Sequence, residues 1–220
     1  PGPMAGAIAR WQALSAGGSF SFNDYAGFLM QYPGMPDETR MRGFAEGRLS
    51  QEYAEPTQVV AFFDRYPPLG NAARAQYALA LMSVRPDAAA PVAVEAWRGG
   101  EMADTASAAI LASYGGQLTQ ADHDARMDAL LWQRDRLAAE RQMVWTSPAL
   151  QPVFSARLAI LQGGDGATGD PVARADPGWL YNRSRELRQE DRSGEAVMLA
   201  AQHPQLSRLP FDQTRWVEEQ

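Results

Sequence analysis

The 220-residue chain contains no cysteine and no lysine, and it has only two histidines. The lack of cysteine excludes disulfide bonds and thiolate metal sites within this chain. All 20 basic residues are arginines, and with 26 acidic residues the formal net charge is −6. This charge argues against a nucleic-acid partner, which would require a basic stripe. No apolar run approaches the roughly 18 residues of a membrane-spanning helix, so no membrane span is expected.

The sequence does contain a repeated alternation between segments of helical periodicity and breaks at glycine or proline. Start signals precede several of these segments. Ser21 followed by Asp24 is a capping-box pattern, and Pro36, Pro56 and Pro177 stand where a helix would begin. No two runs of strict alternation are joined by hairpin chemistry, so the β content should be near zero. We therefore predict an all-α fold.

About a dozen short helices joined by turns of a few residues are typical of stacked antiparallel helix pairs, as in α-solenoids. The segments differ in length and sequence, so the regular period of about 34 residues of a tetratricopeptide array is not predicted. We predict one domain over residues 1–220, a curved superhelical stack in which the loop at residues 163–176 separates the last helices.

The clearest helix signal lies in the segment Leu118–Trp132. Thr119 with Asp122 three residues later is a second capping-box pattern. Alanines at four-residue intervals from Ala121 to Ala129 form a ridge of small residues beside larger apolar ones. Because such a ridge lets a neighbouring helix approach closely, we predict that this helix packs against others.

Residues that could carry chemistry are few. His123 and His203 are too few for a histidine metal site, and neither belongs to a nucleophile motif. The segment Gly164–Gly169 has the spacing of a dinucleotide fingerprint, but it follows a helix, so we interpret it as a flexible turn. Asp165 and Asp170 in this loop lack the spacing of calcium ligands. We assign no catalytic, cofactor-binding or metal-binding residue.

The remaining conspicuous side chains are interpreted as structural. His123 is predicted to form a hydrogen bond on the helix surface or between helices, and the six tryptophans are predicted to pack in the core, although one could stack on a sugar ring. A solvated helix face and loop is the interpretation for a cluster of charged residues, which are Arg183, Arg185, Glu186, Arg188, Glu190, Asp191 and Arg192.

Several short motifs follow one another along the chain. The longest, Leu-Thr-x-x-Asp-His-x-x-Arg-x-Asp-x-Leu-Leu-Trp, occupies residues 118–132. The others are Phe22-x-x-Tyr25-x-x-Phe28-Leu29 with Pro33-x-x-Pro36, Phe62-Phe63 with Pro67-Pro68, Ala96-Trp97-Arg98, Ala156-Arg157, Asp176-Pro177-Gly178 and Arg215-Trp216-Val217-Glu218. This ordered set resembles the N-terminal helical region of soluble lytic transglycosylases of the alphaproteobacterial type.

The resemblance implies a U- or ring-shaped α-superhelix in the periplasm, followed in the parent chain by a lysozyme-like lyase domain. That domain cleaves the MurNAc–GlcNAc linkage of peptidoglycan without water and leaves a 1,6-anhydro end. The family's catalytic glutamate lies in a Glu-Ser motif that precedes a Gly-Leu-Met-Gln motif. No Glu-Ser dipeptide occurs here, and Phe28-Leu29-Met30-Gln31 follows no such glutamate. We therefore expect residues 1–220 to be a non-catalytic N-terminal scaffold fragment that holds glycan strands and uses no cofactor.

Two other functions remain open. A free-standing helical-repeat module would bind a protein or peptide on its concave face. The other is an independent enzyme, which ranks below the glycan scaffold and the binding module. The reason is that the sequence contains no complete set of nucleophile, base or metal ligands.

Overall fold

The computed structural model describes residues 2–220, and within that range every regular element is helical. Its thirteen α-helices are α1 (Pro3–Ser15), α2 (Phe22–Gln31), α3 (Glu38–Arg48), α4 (Pro56–Arg65), α5 (Asn71–Val84), α6 (Pro86–Arg98), α7 (Asp104–Tyr114), α8 (Gln120–Trp132), α9 (Arg136–Gln142), α10 (Gln151–Leu161), α11 (Pro177–Gln189), α12 (Ser193–Gln202) and α13 (Gln213–Glu219). Three 3-10 turns occupy Met143–Trp145, Pro148–Leu150 and Pro171–Ala175. The prediction of an all-α fold is confirmed. In the described part of the chain, no helix is both long enough and apolar enough to cross a membrane.

Both predicted capping boxes are present. The Ser21 hydroxyl accepts from the backbone N–H of Asp24 at 3.1 Å, and the Asp24 carboxylate accepts from the N–H of Ser21 at 2.8 Å. Thr119 and Asp122 repeat this exchange at 3.1 and 2.8 Å. Each exchange satisfies backbone donors that a helix start leaves unpaired, so the starts of α2 and α8 follow from local sequence.

The start of α3 differs from the prediction. Pro36 was expected to open this helix, but the helix begins at Glu38, two residues later. Asp37 lies between them with a φ of 57°, in the left-handed region. A residue in that region interrupts the right-handed path, and aspartate tolerates it better than most side chains do. Pro36 therefore lies outside the helix.

Contacts divide the chain into two compact units. The first unit contains the chain up to Trp97 together with Met102–Gln117, and it holds α1 to α7. The second contains Arg98–Glu101 and Leu118–Gln220, with α8 to α13. Within each unit, helices that are neighbours in the chain pack on each other, as α4 does on α5 and α11 on α12. Such packing is consistent with a helical stack. A curved superhelix and a single domain over the whole chain remain predictions.

Aromatic side chains form the centre of the first unit's core. The rings of Phe22 on α2 and Phe62 on α4 meet edge to face, with centroids 5.5 Å apart. Tyr66, just after α4, continues this cluster, and its hydroxyl donates to the backbone carbonyl of Leu29 at 2.8 Å. That carbonyl has no helical donor available, because the residue four positions on is Pro33, which has no N–H. The hydroxyl of Tyr66 thus completes the C-terminal end of α2.

The core of the second unit is built around α8, α9 and α10, where Met127, Leu131, Phe154 and Leu158 pack together. The buried face of α8 differs from the predicted alanine ridge. Ala129 is buried, but the ridge's first residue, Ala121, is exposed. Several polar side chains of α8 are buried in its place.

Replacement of Tyr66 by phenylalanine should destabilise the fold by about 1–3 kcal/mol, because the buried Leu29 carbonyl would lose its donor. Tyr53→Phe is the matched control, since Tyr53 is 79% exposed. Chemical denaturation of both variants measures the difference. Equal stabilities for the two variants would contradict the proposed role of Tyr66.

Candidate functional site

Four polar side chains of α8 are buried, namely Asp122, His123, Arg126 and Asp128. Burial of a charged group is unfavourable unless the group is paired or hydrogen-bonded. The hydrogen-bond and ion-pair partners of each side chain therefore identify the part of the second unit that it holds in place.

Asp122 and Arg126 bind the backbone and side chains of the segment Arg98–Glu101. The carboxylate of Asp122 accepts from the Arg98 guanidinium at 2.8 Å, and the Arg126 guanidinium donates to the carbonyl of Gly100 at 2.6 Å. Burial lowers the pKa of Arg126 to about 10, so the side chain remains charged at neutral pH. These contacts attach the segment to α8.

Gln133, at the end of α8, holds the same segment through its amide group. Its Nε2 donates to the carbonyl of Gly99, and its Oε1 accepts from the N–H of Glu101, both at 2.9 Å. Gly100 lies between them with a φ of 84°. A Cβ at this position would lie 2.6 Å from Oε1 of Gln133, so both the backbone conformation and the close approach require glycine.

His123 makes an interhelix contact, which is one of the two alternatives predicted from its sequence context. The Gln142 amide Nε2, on α9, lies 3.3 Å from Nδ1 of His123 and donates to the His123 carbonyl at 3.1 Å. Because an amide NH₂ only donates, Nδ1 accepts and the ring proton lies on Nε2. The imidazole also stacks on the ring of Trp145, at a centroid distance of 5.2 Å. Burial lowers the pKa of His123, and this effect outweighs the opposing charges of Asp122 and Asp124.

Arg157 on α10 is fully buried and lies at the centre of the second unit. Its Nη1 donates to the Asp128 carboxylate at 2.6 Å, and its Nε donates to the Asn182 side chain at 3.0 Å. The guanidinium carbon lies 5.8 Å from the centroid of the Trp132 ring. A Cβ at Gly178 would overlap this guanidinium, so α11 can approach it only because residue 178 is glycine.

Arg208, in the coil before α13, completes this network. Its guanidinium donates to Asp128 at 2.8 Å and to Asp176 at 2.9 Å. Asp176 also caps α11, where it accepts from the N–H of Trp179 at 2.8 Å. Two carboxylates and two guanidinium groups therefore balance in charge. Burial alone would raise the pKa of Asp128, but the charges of Arg157 and Arg208 outweigh it and hold the pKa below its ordinary value.

Three segments that carry the family resemblance meet in this network. Asp128 belongs to the motif at 118–132, Arg157 to Ala156-Arg157, and Asp176 and Gly178 to Asp176-Pro177-Gly178. Asp128 and Arg157 are paired with each other, and Asp176 caps the start of α11, so the network holds helices together. The sequence contained no signal that would have joined Asp128 to Arg208, because they lie 80 residues apart.

A pocket of 380 Å³ opens elsewhere in the second unit, between the loop at residues 163–176, α11 and α12. Apolar side chains cover part of its wall, namely Trp179, Leu180, Leu187, Met198 and Leu199. Arg174 and His203 also line it, and Arg174 is exposed. Glu195 lines the pocket as well, but its carboxylate is paired with Arg192, so the pocket can accommodate an apolar group with a negative charge beside Arg174.

The loop beside this pocket is tethered to α11. The N–H of Gly166 donates to Glu186 at 3.0 Å, and the indole N–H of Trp179 donates to the carbonyl of Gly166 at 2.9 Å. The segment follows α10, as the sequence predicted, and these two bonds hold the turn against the helix. A Cβ on Gly166 would collide with Ile160, which gives this glycine a packing role.

The prediction of a solvated charged face on α11 is wrong for two residues. Arg183 is 8% exposed and Glu186 is 6% exposed, and they form an ion pair at 2.7 Å. The loop covers this part of the helix and supplies Asp165, which accepts from Arg183 at 3.2 Å. The sequence shows an i,i+3 pair of opposite charges in either case, so it does not indicate whether the pair is exposed to solvent or covered by a loop.

Within residues 2–220, no group of three or more histidine or acidic side chains is arranged to hold a metal ion. A scan against protein-family models, a search of curated proteins and a search of solved structures each found no match.

Replacement of Gly178 by alanine should destabilise the protein by about 1–3 kcal/mol, since the added methyl group overlaps a guanidinium that its partners hold in place. Gly194→Ala on α12 is the control, because a Cβ there meets nothing within 4 Å and alanine favours helix. The free energy of unfolding in denaturant is the measurement. Equal stability of the two variants would show that Arg157 can move aside.

The stability of the wild-type protein should fall as the pH is lowered from about 7 to 5. The folded state lowers the pKa of His123 below its ordinary value of 6.5, so the unfolded chain binds the proton more readily in this range. The measurement is the free energy of unfolding as a function of pH. Between pH 5 and 7 its dependence on pH should be weaker in His123→Gln than in the wild type. An unchanged slope in that variant would contradict the assignment to His123.

Proposed function

We propose that this chain is the non-catalytic helical scaffold region of a periplasmic lytic transglycosylase, an enzyme that cleaves the MurNAc–GlcNAc linkage of peptidoglycan to 1,6-anhydro products. The observation that carries the proposal is the meeting of three resemblance segments at one network, through Asp128, Arg157 and Asp176. In this function the chain surrounds a glycan strand and positions it for a separate catalytic domain.

The network supports the proposal because its residues depend on one another. Removal of one partner from a buried ion pair leaves an uncompensated charge, which typically costs about 3–5 kcal/mol. Loss of any one of Asp128, Arg157 and Arg208 would therefore leave its partners with an unpaired charge. The resemblance segments supply Asp128, Arg157 and Asp176 to this network, and such a set of interdependent residues is a more specific sign of a scaffold than apolar periodicity, which many helical proteins have.

Trp145 is the residue that we assign to glycan stacking in this proposal. It is 45% exposed, and its ring is stacked on the buried imidazole of His123. An aromatic ring held in one orientation with part of its surface open can contact the apolar face of a sugar. Its neighbour Val144, which is 76% exposed, enlarges the open surface beside it.

Co-sedimentation of the purified chain with peptidoglycan sacculi tests this function. The wild-type chain should bind and should release no anhydro-muropeptides, and Trp145→Ala should weaken binding at least about fivefold, as expected for a loss of roughly 1 kcal/mol of aromatic contact. Trp145→Phe should retain most of the affinity, and Val144→Ala is the control for a change at the same surface.

Two results would overturn the proposal. Release of anhydro-muropeptides would show that the chain itself is catalytic, and a lack of binding to sacculi would remove the scaffold's ligand. The gene provides a second test, because an open reading frame that continues past the codon for Gln220 into a Glu-Ser motif and a Gly-Leu-Met-Gln motif would support the scaffold function.

A helical module that binds a protein or peptide is the second candidate. The pocket between α11 and α12 favours it, since its apolar wall and exposed Arg174 suit an apolar side chain next to a carboxylate. Met198 lines this pocket and is 55% exposed, which extends the apolar surface outward. A protein partner whose capture is lost in Met198→Glu, with unchanged binding to sacculi, would favour this function.

A further inference from the structure

A second pocket of the same unit is polar and rich in arginine. It has a volume of 470 Å³ and lies between the turn that joins α8 to α9, the middle of α11, and α13. Its lining consists of Arg134, Tyr181, Arg185, Arg215, Glu218 and Glu219. Three guanidinium groups thus face one space in a chain whose net charge is −6.

Arg134 occupies a backbone position where glycine is the usual residue. The N–H of Asp135 donates to the carbonyl of Leu130, and the N–H of Arg134 donates to the carbonyl of Leu131, at 3.0 and 3.2 Å. This pair of bonds is the Schellman ending of a helix, whose left-handed residue is commonly glycine. Arg134 adopts that conformation with a φ of 59°. The other two left-handed residues that are not glycine, among residues 2–220, are aspartates, which tolerate it better.

A strained position that keeps a long charged side chain indicates that the side chain has a role. Arg134 is exposed, and it takes part in none of the ion pairs found among residues 2–220. The fold therefore keeps a cation in the lining of the pocket at some cost in stability, at a position where glycine would suit the backbone better.

Arg185 is held in place without a carboxylate. Its Nη1 donates to the hydroxyl of Tyr181 at 3.1 Å, and its guanidinium carbon lies 5.6 Å from the centroid of the Tyr181 ring. That ring in turn packs on the buried ring of Trp132, with centroids 4.7 Å apart. The Arg185 side chain is thus packed on aromatic rings. This contact reduces the conformational entropy that the side chain would lose on binding a ligand.

The acidic residues at the pocket neutralise only part of this charge. Glu219 is paired with Arg188 at 2.6 Å, and Arg215 lies 3.4 Å from Asp212. Glu218, which is exposed, is the other carboxylate in the lining, so it stands against the guanidinium groups of both Arg134 and Arg185 in the charge balance of the pocket. An excess of guanidinium donors around an open polar space attracts anions.

We propose that this pocket binds a small oxyanion, a carboxylate or phosphate group, through Arg134 and Arg185. The planar guanidinium presents two parallel N–H groups that match the oxygen spacing of either anion. Arg215 adds a third positive charge at the pocket wall, where its Nη1 is held by the carbonyl of Trp132 at 3.0 Å. The proposal is independent of the glycan-scaffold function, because it concerns a different surface of the second unit.

Calorimetric titration of the full chain at low ionic strength tests the site, with inorganic phosphate in one experiment and tricarballylate in another. Binding of either anion is expected, and the stronger of the two identifies the chemical source. Arg134→Gly and Arg185→Gln should each weaken binding about tenfold or more, the factor that loss of one charge-assisted hydrogen bond gives. Glu218→Gln should strengthen binding, since it removes the opposing carboxylate.

Arg134→Gly separates the binding role from folding. Glycine relieves the left-handed conformation, so the Tm of this variant should rise while its affinity for the anion falls. Arg174→Gln is the control for net charge, because Arg174 is an exposed arginine of the same unit that lines the other pocket. Binding of neither anion, or equal loss of affinity in Arg174→Gln, would overturn the proposal.

Discussion

The second unit depends on the burial of one cation, the guanidinium of Arg157. A buried charge is tolerated only when its partners are in place, so this side chain requires Asp128 from α8, Asn182 from α11 and the glycine surface at Gly178 at the same time. Arg208 extends the requirement to the coil before α13. Helices that apolar contacts alone would allow to slide or rotate are thereby held in one arrangement.

The two units reach stability by different means. In the first, aromatic rings carry the core, and the hydroxyl of Tyr66 serves a helix end that Pro33 leaves unpaired. In the second, the charges of Arg157 and Arg208 hold the pKa of the buried Asp128 carboxyl below its ordinary value, so an ion-pair network lies at the centre of its packing. Both units consist of alanine-rich helices, so the contrast between them follows from where the charged residues lie.

The use of arginine as the only strong base fits both kinds of site in the second unit. Arg157 makes two directed bonds from one planar group in the buried network, which the single ammonium of lysine could not reproduce in that geometry. Arg134 and Arg185 present the same planar group to an open pocket. The network supports the scaffold function that we propose. The guanidinium groups of the open pocket are only partly neutralised, and they support anion binding instead. The pocket beside α12 is a third surface, and its apolar wall suits a peptide better than a sugar.

The sequence by itself determined the helical class and the helix starts at Ser21, Thr119 and Asp176, because periodicity and capping involve residues within a few positions of one another. It predicted the interhelix bond of His123 only as one of two alternatives. Only the tertiary structure decided that Arg183 and Glu186 are covered, and that Asp128 meets Arg208 across 80 residues. The physical reason is that a charged side chain looks the same in sequence whether water or a buried partner solvates it, and only the packing of distant segments supplies that partner.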